Sequence, residues 1–234
     1  MVFADRNSSY TLLAEGFPDP ILSGGRYSFS SFDLSRREPP LFQYWVFDGS
    51  TSEYFFNAPR LGGKQSDFGR YTVFEPANIG PTKKFLLFCA LGVRTLAEDP
   101  PAVGRYEEGF FSGRIRTDED TVWNTNSSTV IANLSQNGLS FRLDLRGRER
   151  GPANAGTEPT EFGSYRATTV TADDGTFIGT FTDDSGAEVG RISGAFFGPG
   201  GNEAGFALDL VTTVNDGPNV GQKLTVIGSG FVGR

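Results

Sequence analysis

The sequence has no histidine, one cysteine, one methionine and two tryptophans in 234 residues. Without histidine the usual nucleophile–base triads cannot be assembled, and most zinc and copper sites lose their commonest ligand. The lone thiol, Cys89, has no partner for an internal disulfide. It stands in the run Phe85-Leu86-Leu87-Phe88-Cys89-Ala90-Leu91, where a thiol is expected to behave as a small core hydrophobe. Long apolar runs are missing too, and none reaches the ~20 residues of a membrane-spanning helix. Residues 1–20 hold no continuous apolar segment and place Arg6, Asn7, Ser8 and Ser9 early, so no signal peptide is expected. Two settings stay open on these grounds, the cytoplasm or export with loss of the signal.

Positive charge is scarce, with 21 Lys and Arg against 28 Asp and Glu, a formal net charge of −7 and a pI near 4.7. That balance argues against a phosphate backbone, so no nucleic-acid partner is expected. The nearest approach to a basic cluster is Arg142, Arg146, Arg148 and Arg150. Asp144 and Glu149 interrupt it, as on a solvated strand edge.

Helical periodicity is almost absent. What is abundant is glycine, at 31 residues, and phenylalanine, at 22. Phenylalanine buries a large apolar area and needs no hydrogen-bond partner, which suits a core. The glycine excess, with no period and no low-complexity tract, predicts tight turns and strand bends. Strand-length runs bounded by Gly, Pro, Asn and Asp recur throughout, the pattern of an all-β protein. The clearest is Leu139 to Arg146, a strict alternation of apolar and polar residues. Asn137-Gly138 just before it predicts a type I′ hairpin turn back to Thr129–Leu134. Further strands are predicted over 105–116, 164–171, 176–182, 188–197, 203–213 and 223–232. The turns Asp174-Gly175, Ser185-Gly186 and Asn215-Asp216-Gly217 and the loop 198–202 separate the later ones. Eight antiparallel strands joined by short hairpins close naturally into an up-and-down barrel, which removes exposed edges.

The first hundred residues are β-rich but less regular. Strands are predicted over 26–32, 41–47, 53–56, 70–75 and 84–91, with loops marked by Pro39-Pro40, Pro59, Pro76 and Pro81. Glu98-Asp99-Pro100-Pro101-Ala102 has the composition of a stiff linker. The domain boundary is placed there, with a β-rich domain over 1–100 and the barrel over 101–234.

Few residues point to catalysis, and no enzyme is expected. Glu107, Glu108, Glu158 and Glu161 are carboxylates that an all-β hydrolase would need in facing pairs, and each is more simply a surface charge. Asp118-Glu119-Asp120, Asp173-Asp174 and Asp183-Asp184 lack the alternating ligand ladder of a calcium loop and suit turn starts. Gly228-Ser229-Gly230-Phe231-Val232-Gly233 matches G-x-G-x-x-G by letter. No helix can open at those glycines, and a curved strand explains them better. No metal site and no required cofactor are expected.

The most distinctive surface candidate is aromatic. Leu41 to Phe47 and Tyr54-Phe55-Phe56 place seven rings in about two strands' length, and alternation buries only one face. Tyr44, Trp45, Tyr54, Phe55 and Phe56, followed by Arg60 and Lys64 around Gly62-Gly63, are the candidate ligand-binding residues. Aromatics beside a flexible basic loop suit a flat, anionic apolar ligand or a protein partner.

The segment Gly194-Ala195-Phe196-Phe197-Gly198-Pro199-Gly200-Gly201-Asn202-Glu203-Ala204-Gly205 resembles the G-x-F-F-G-P-x-A-x-E-x-G-G stretch of the transferrin-binding protein B barrel. Factor H binding protein and haemophilin-like haem scavengers share that module. Pro101 to Gly109 is similar to the P-x-x-G-x-x-Y-x-G opening of the same barrel, and Gly179-Thr180-Phe181 to the strand before the motif. Gly201 stands where alanine is usual, and Phe206 replaces the second glycine. The motif residues Gly194, Phe196, Phe197, Gly198, Pro199 and Glu203 are expected to be structural, with Phe196 and Phe197 packing on opposite faces.

The resemblance implies an N-terminal handle domain that contacts the ligand and an eight-stranded barrel after it. It also implies a bacterial outer-membrane surface lipoprotein or secreted relative, exported by a surface lipoprotein assembly modulator that recognises the barrel. The absent lipidation cysteine is then expected to reflect trimming behind it, with Met1 a start codon. Members of the family capture transferrin, haem, haemoglobin or host regulators and often feed a TonB-dependent receptor. The expected function is therefore nutrient capture, with haem or another iron carrier as cargo. The alternative is a cell-surface interaction or assembly protein that binds a host or neighbour protein and no small molecule. With no histidine available, haem iron would take a Tyr phenolate, from Tyr44 or Tyr54, or no axial ligand.

Overall fold

The computed structural model describes residues 2–4, 9–14, 25–29, 34–38, 42–47, 52–57, 60–61, 64–66, 69–75, 87–118, 121–125, 127–149, 158–214 and 219–234. Up to residue 57, and at 65, 69–75, 87, 89 and 91, that description is of the backbone. The Cys89 side chain, the prolines at 39, 40, 59, 76 and 81, and the turn at Asn215-Asp216-Gly217 lie outside it. Every regular element described is a β-strand, apart from one turn of 3-10 helix at Pro199–Gly201.

Contacts divide the chain into two units, Met1–Asn57 with Val73–Leu87, and Ala58–Thr72 with Phe88–Arg234. In the first, β1 (Val2–Ala4), β2 (Ser9–Ala14) and β3 (Gly25–Phe29) form an antiparallel sheet. The next three, β4 (Leu34–Glu38), β5 (Phe42–Phe47) and β6 (Ser52–Asn57), are also antiparallel neighbours. Of these, β1, β2 and β4 carry no periodic signal in the sequence.

The second unit opens with a short hairpin, β7 (Arg60–Leu61) and β8 (Lys64–Gln65). Strand β9 (Gly69–Glu75) begins in this unit and ends in the first, and β10 (Leu87–Gly92) leads toward the barrel. The barrel wall is a ten-stranded antiparallel sheet closed on itself. Its members are β11 (Gly104–Tyr106), β12 (Glu108–Thr117), β13 (Val122–Asn124), β14 (Thr129–Ser135), β15 (Gly138–Glu149), β16 (Thr160–Thr171), β17 (Thr176–Thr182), β18 (Glu188–Phe197), β19 (Glu203–Thr213) and β20 (Lys223–Gly233). Strands β11 and β12 are one stave interrupted at Glu107. Strands β13 and β14 are a second, pairing with opposite ends of β15. The ten strands thus make the eight staves of an up-and-down barrel, and the β12–β20 ladder closes it. Between β13 and β14 the ladder is bridged by Ser128, whose hydroxyl accepts from Arg146 N–H at 2.9 Å and donates to Arg146 C=O at 2.7 Å.

Alternation sets what faces inward. Along β14 and β15 every second residue is buried, from Val130 through Leu134 and from Leu139 through Leu145. The interior is a single cluster of aliphatic and aromatic side chains with Phe111, Phe141, Phe177, Phe196 and Phe206 at its centre. Phe206 lies parallel to Phe111 with centroids 6.4 Å apart and meets Phe141 edge-on at 5.1 Å. Much of the glycine serves this packing rather than turns. A Cβ on Gly228 would lie 2.5 Å from the Phe111 ring, and one on Gly230 2.5 Å from the Phe206 ring. Both glycines belong to the G-x-G-x-x-G match, so that stretch is a strand on which neighbouring rings lie flat.

The predicted type I′ turn at Asn137-Gly138 is corrected by one position. Ser135 pairs with Gly138, so the two loop residues are Gln136 and Asn137, and Gly138 opens β15. The Ser135 hydroxyl holds the loop by accepting from Asn137 N–H at 3.2 Å. Gly138 is needed because its φ is +120° and a Cβ would meet the Thr169 carbonyl oxygen at 2.0 Å. At Asp183–Gly186 the chemistry is as expected. The Asp183 carboxylate accepts from Ser185 N–H, Ser185 Oγ and Ala187 N–H at 2.9, 2.6 and 3.0 Å.

Candidate functional site

In the first unit the register of β5 and β6 arranges the aromatic candidates. Tyr44 stands opposite Phe55, Trp45 opposite Tyr54, and Gln43 opposite Phe56. Residues opposite each other in an antiparallel ladder share a face, and neighbours along a strand alternate. Tyr44 and Phe55 therefore occupy one face, and Trp45, Tyr54 and Phe56 the other. The two tyrosines singled out as iron ligands are split between faces, so a flat ligand on the sheet reaches one of them.

The basic pair lies in the second unit. Arg60 and Lys64 are exposed on the β7–β8 hairpin, and the residues between and beside them fix that hairpin to the outer wall of the barrel. Leu61 is buried in a small cluster with Phe197 and Phe231, with Ala90, Phe110 and Ala195 packed against it. Ser66 Oγ donates to the Glu203 carboxylate at 2.6 Å, a buried bond. Glu203 is thus an anchor for the hairpin, a role reached across 137 positions of sequence.

The other motif residues form a corner where β18 passes to β19. Phe196 points into the barrel, where it meets Phe177 edge-on at 5.5 Å. Phe197 points outward, 5.6 Å from Phe231. Gly194 leaves room for the Phe177 ring, which would lie 2.4 Å from a Cβ. Gly198, Gly200 and Gly201 have φ of 74°, 58° and 59°, a left-handed path that side chains disfavour, with Pro199 opening the turn between them.

The segment 93–102 lies across this corner as a strap. Gly198 N–H bonds the Val93 carbonyl at 2.9 Å, and Thr95 Oγ1 donates to the Gly198 carbonyl at 2.8 Å. The Asp99 carboxylate accepts from Gly200 N–H at 2.6 Å. Arg94 reaches Asp174 in the β16–β17 turn. The Glu98–Ala102 stretch, read in sequence as a linker, is bonded to the barrel corner through Asp99 and Ala102. Beneath the strap, fully buried Tyr106 donates to the Gly201 carbonyl at 2.7 Å, and the Arg234 guanidinium lies 4.6 Å from its ring centre. Burial pushes the Tyr106 hydroxyl pKa up against the opposing pull of Arg234. At the far end of the barrel, desolvation raises Tyr165 to about 12, helped by the charges of Asp183 and Asp184.

The remaining carboxylate candidates are surface charges. Glu107 pairs with Arg105 at 3.3 Å, and Glu161 with Arg146 at 2.6 Å. Arg142 pairs with Asp144 at 3.0 Å, so both Arg142 and Arg146 of the arginine row face carboxylates. Among the described residues no group of His, Cys, Asp or Glu is placed to hold a metal ion. Sequence reasoning missed Leu61, Ser66 and the strap, because each owes its placement to a partner distant in the chain.

No protein-family model matches the chain, and no curated protein does. Solved structures do. Transferrin-binding protein B of Haemophilus parasuis is similar at 13% identity and a TM-score of 0.45, over 88% of this chain and 39% of that one. The isotype 1 protein of serogroup B Neisseria meningitidis is similar at 16% identity and a TM-score of 0.42, over 97% of this chain and 43% of that one. An intact two-lobe transferrin-binding protein B matches at 13% identity and a TM-score of 0.44. The chain spans about two-fifths of the length of the solved structures it matches.

Proposed function

We propose that this chain is a ligand-capture protein of a bacterial cell surface, not an enzyme, whose cargo is haem or another iron carrier. The observation that carries the reading is the β5–β6 register, which gathers Trp45, Tyr54 and Phe56 on one face. Such a face offers a flat apolar ligand a broad contact area, with a phenolate at Tyr54 for its iron. Arg60 and Lys64, exposed on the β7–β8 hairpin of the second unit, are proposed as a second, separate contact point. In this reading ligand contacts fall within residues 1–100 and the barrel over 101–234 is the carrier. Its glycine-proline corner is the feature an export modulator recognises, and a TonB-dependent receptor or a host protein is the partner in transfer.

The test is an absorbance titration of the full chain with haemin. A saturable Soret shift, weakened at least tenfold by Tyr54→Phe and untouched by Tyr44→Phe, is expected. Equal loss from both substitutions would contradict the one-face arrangement. No shift at any ratio would remove haem as cargo and turn the search to a protein partner of the same face.

A further inference from the structure

At the motif end of the barrel, between the strap and the Gln136–Asn137 hairpin, lies a cavity of about 390 Å³. Its floor is Leu134 and Phe196, and its walls are Pro101 and Val103 on one side and Val170 on the other. The volume is within the range of small-molecule sites, at the lower end. Two further observations set the chemistry. No Asp, Glu, Lys or Arg is among the residues that line it. An ionised group seated there would give up hydration with no countercharge in return.

The lips are also unusual for this wall. Val103 is 65% exposed and Val170 72%, and Val170 stands opposite Ile178, itself 64% exposed. Neighbouring outward positions on the same two strands are Arg166, Thr168, Thr180 and Thr182, so the apolar lip is local to the mouth. The rim across from it carries the exposed amide side chains of Gln136 and Asn137.

We infer that this cavity binds a small neutral amphiphile, an aliphatic body with an uncharged hydroxyl or amide head. The body lies on Leu134, Phe196 and the valine lips, and the head meets the Gln136–Asn137 rim. The site is separate from the aromatic face, since it has neither a cation for a carboxylate nor a phenolate for iron.

The experiment is methyl NMR of the full chain titrated with 1-octanol and, in parallel, with octanoate. Saturable shifts are expected at Val103, Val170 and Leu134 with octanol, at least tenfold weaker with octanoate. Val211 and Val220, which are 66% and 60% exposed elsewhere, are expected to stay in place. Val170→Asp, a change at an exposed position, should abolish the octanol shifts and leave the rest of the spectrum intact. Three results would overturn the inference. They are shifts that never saturate, shifts of equal size at Val211 and Val220, and octanoate binding as tightly as octanol.

Discussion

Gly200 and Gly201 make a matched pair of positions for asking whether the strap presses on the barrel corner. Their φ angles are 58° and 59°, so alanine at either one meets the same backbone strain, about 1–2 kcal/mol. Their surroundings differ. A Cβ at Gly200 meets nothing within 4 Å, whereas one at Gly201 would lie 2.7 Å from Pro101 Cβ and 2.8 Å from its Cγ. No real contact is that close, so the proline must move, and with it the Asp99 and Ala102 bonds to the loop. Overpacking of this kind costs about 1–3 kcal/mol. Gly201→Ala is therefore expected to destabilise the barrel by roughly 2–5 kcal/mol in all, and Gly200→Ala by the strain alone. Urea unfolding followed by tryptophan fluorescence measures both, with Trp45→Phe as background so that only Trp123 reports. Trp123 packs edge-on to Phe162 at 5.2 Å and senses the barrel. The midpoint should fall with the slope unchanged, and Pro101→Gly, which removes both the Cβ and the Cγ, should recover most of the difference between the two variants. Equal losses at positions 200 and 201 would refute a strap in contact with the corner.

Two further outcomes follow from single contacts. Because burial raises Tyr165 to about 12 while the unfolded residue titrates near 10, the unfolded chain loses its proton first. Stability from this group is whole below pH 10 and is lost as pH rises through 12, a drop of roughly 2–3 kcal/mol. Tyr165→Phe should flatten that alkaline limb in urea midpoints measured from pH 8 to 11, and an unchanged limb would assign it elsewhere. Leu61→Ala and Glu203→Ala remove the two anchors of the β7–β8 hairpin, so tryptic cleavage after Arg60 and Lys64 should speed up about tenfold under native conditions. Cleavage at the wild-type rate would show that other contacts hold the hairpin.

The barrel was legible because its signals are local. Alternation along β15 and the turn residues after Thr171, Thr182 and Phe197 predict Thr176–Thr182, Glu188–Phe197 and Glu203–Thr213 with the bounds observed. The three residues of β13 are too few to show a period, and the break at Glu107 leaves no mark in composition. Positions decided by distant partners were not legible. Ser66 is buried because Glu203 lies beside it, and Phe231 because Leu61 covers it, and neither partner is near in the chain. Glycine was misread in part for the same reason. A glycine under a ring and a glycine in a turn look alike until the neighbouring strand is known. In the aromatic strands the sequence names the residues, but the one-position offset that separates Tyr44 from Tyr54 becomes visible only with the register.

Every ladder in the barrel wall but one joins staves that are consecutive in the chain. The exception is the β12–β20 seam, which matches Glu108 with Gly233 and Thr117 with Leu224, from opposite ends of the barrel's sequence. Hairpins close short loops at little entropic cost, whereas the seam waits until the whole wall is in place. Folding should therefore proceed as a curling ribbon whose two free margins meet last. Until they do, β20 with its glycine-rich inner face and β12 on the other margin are open edges, each able to pair with another chain.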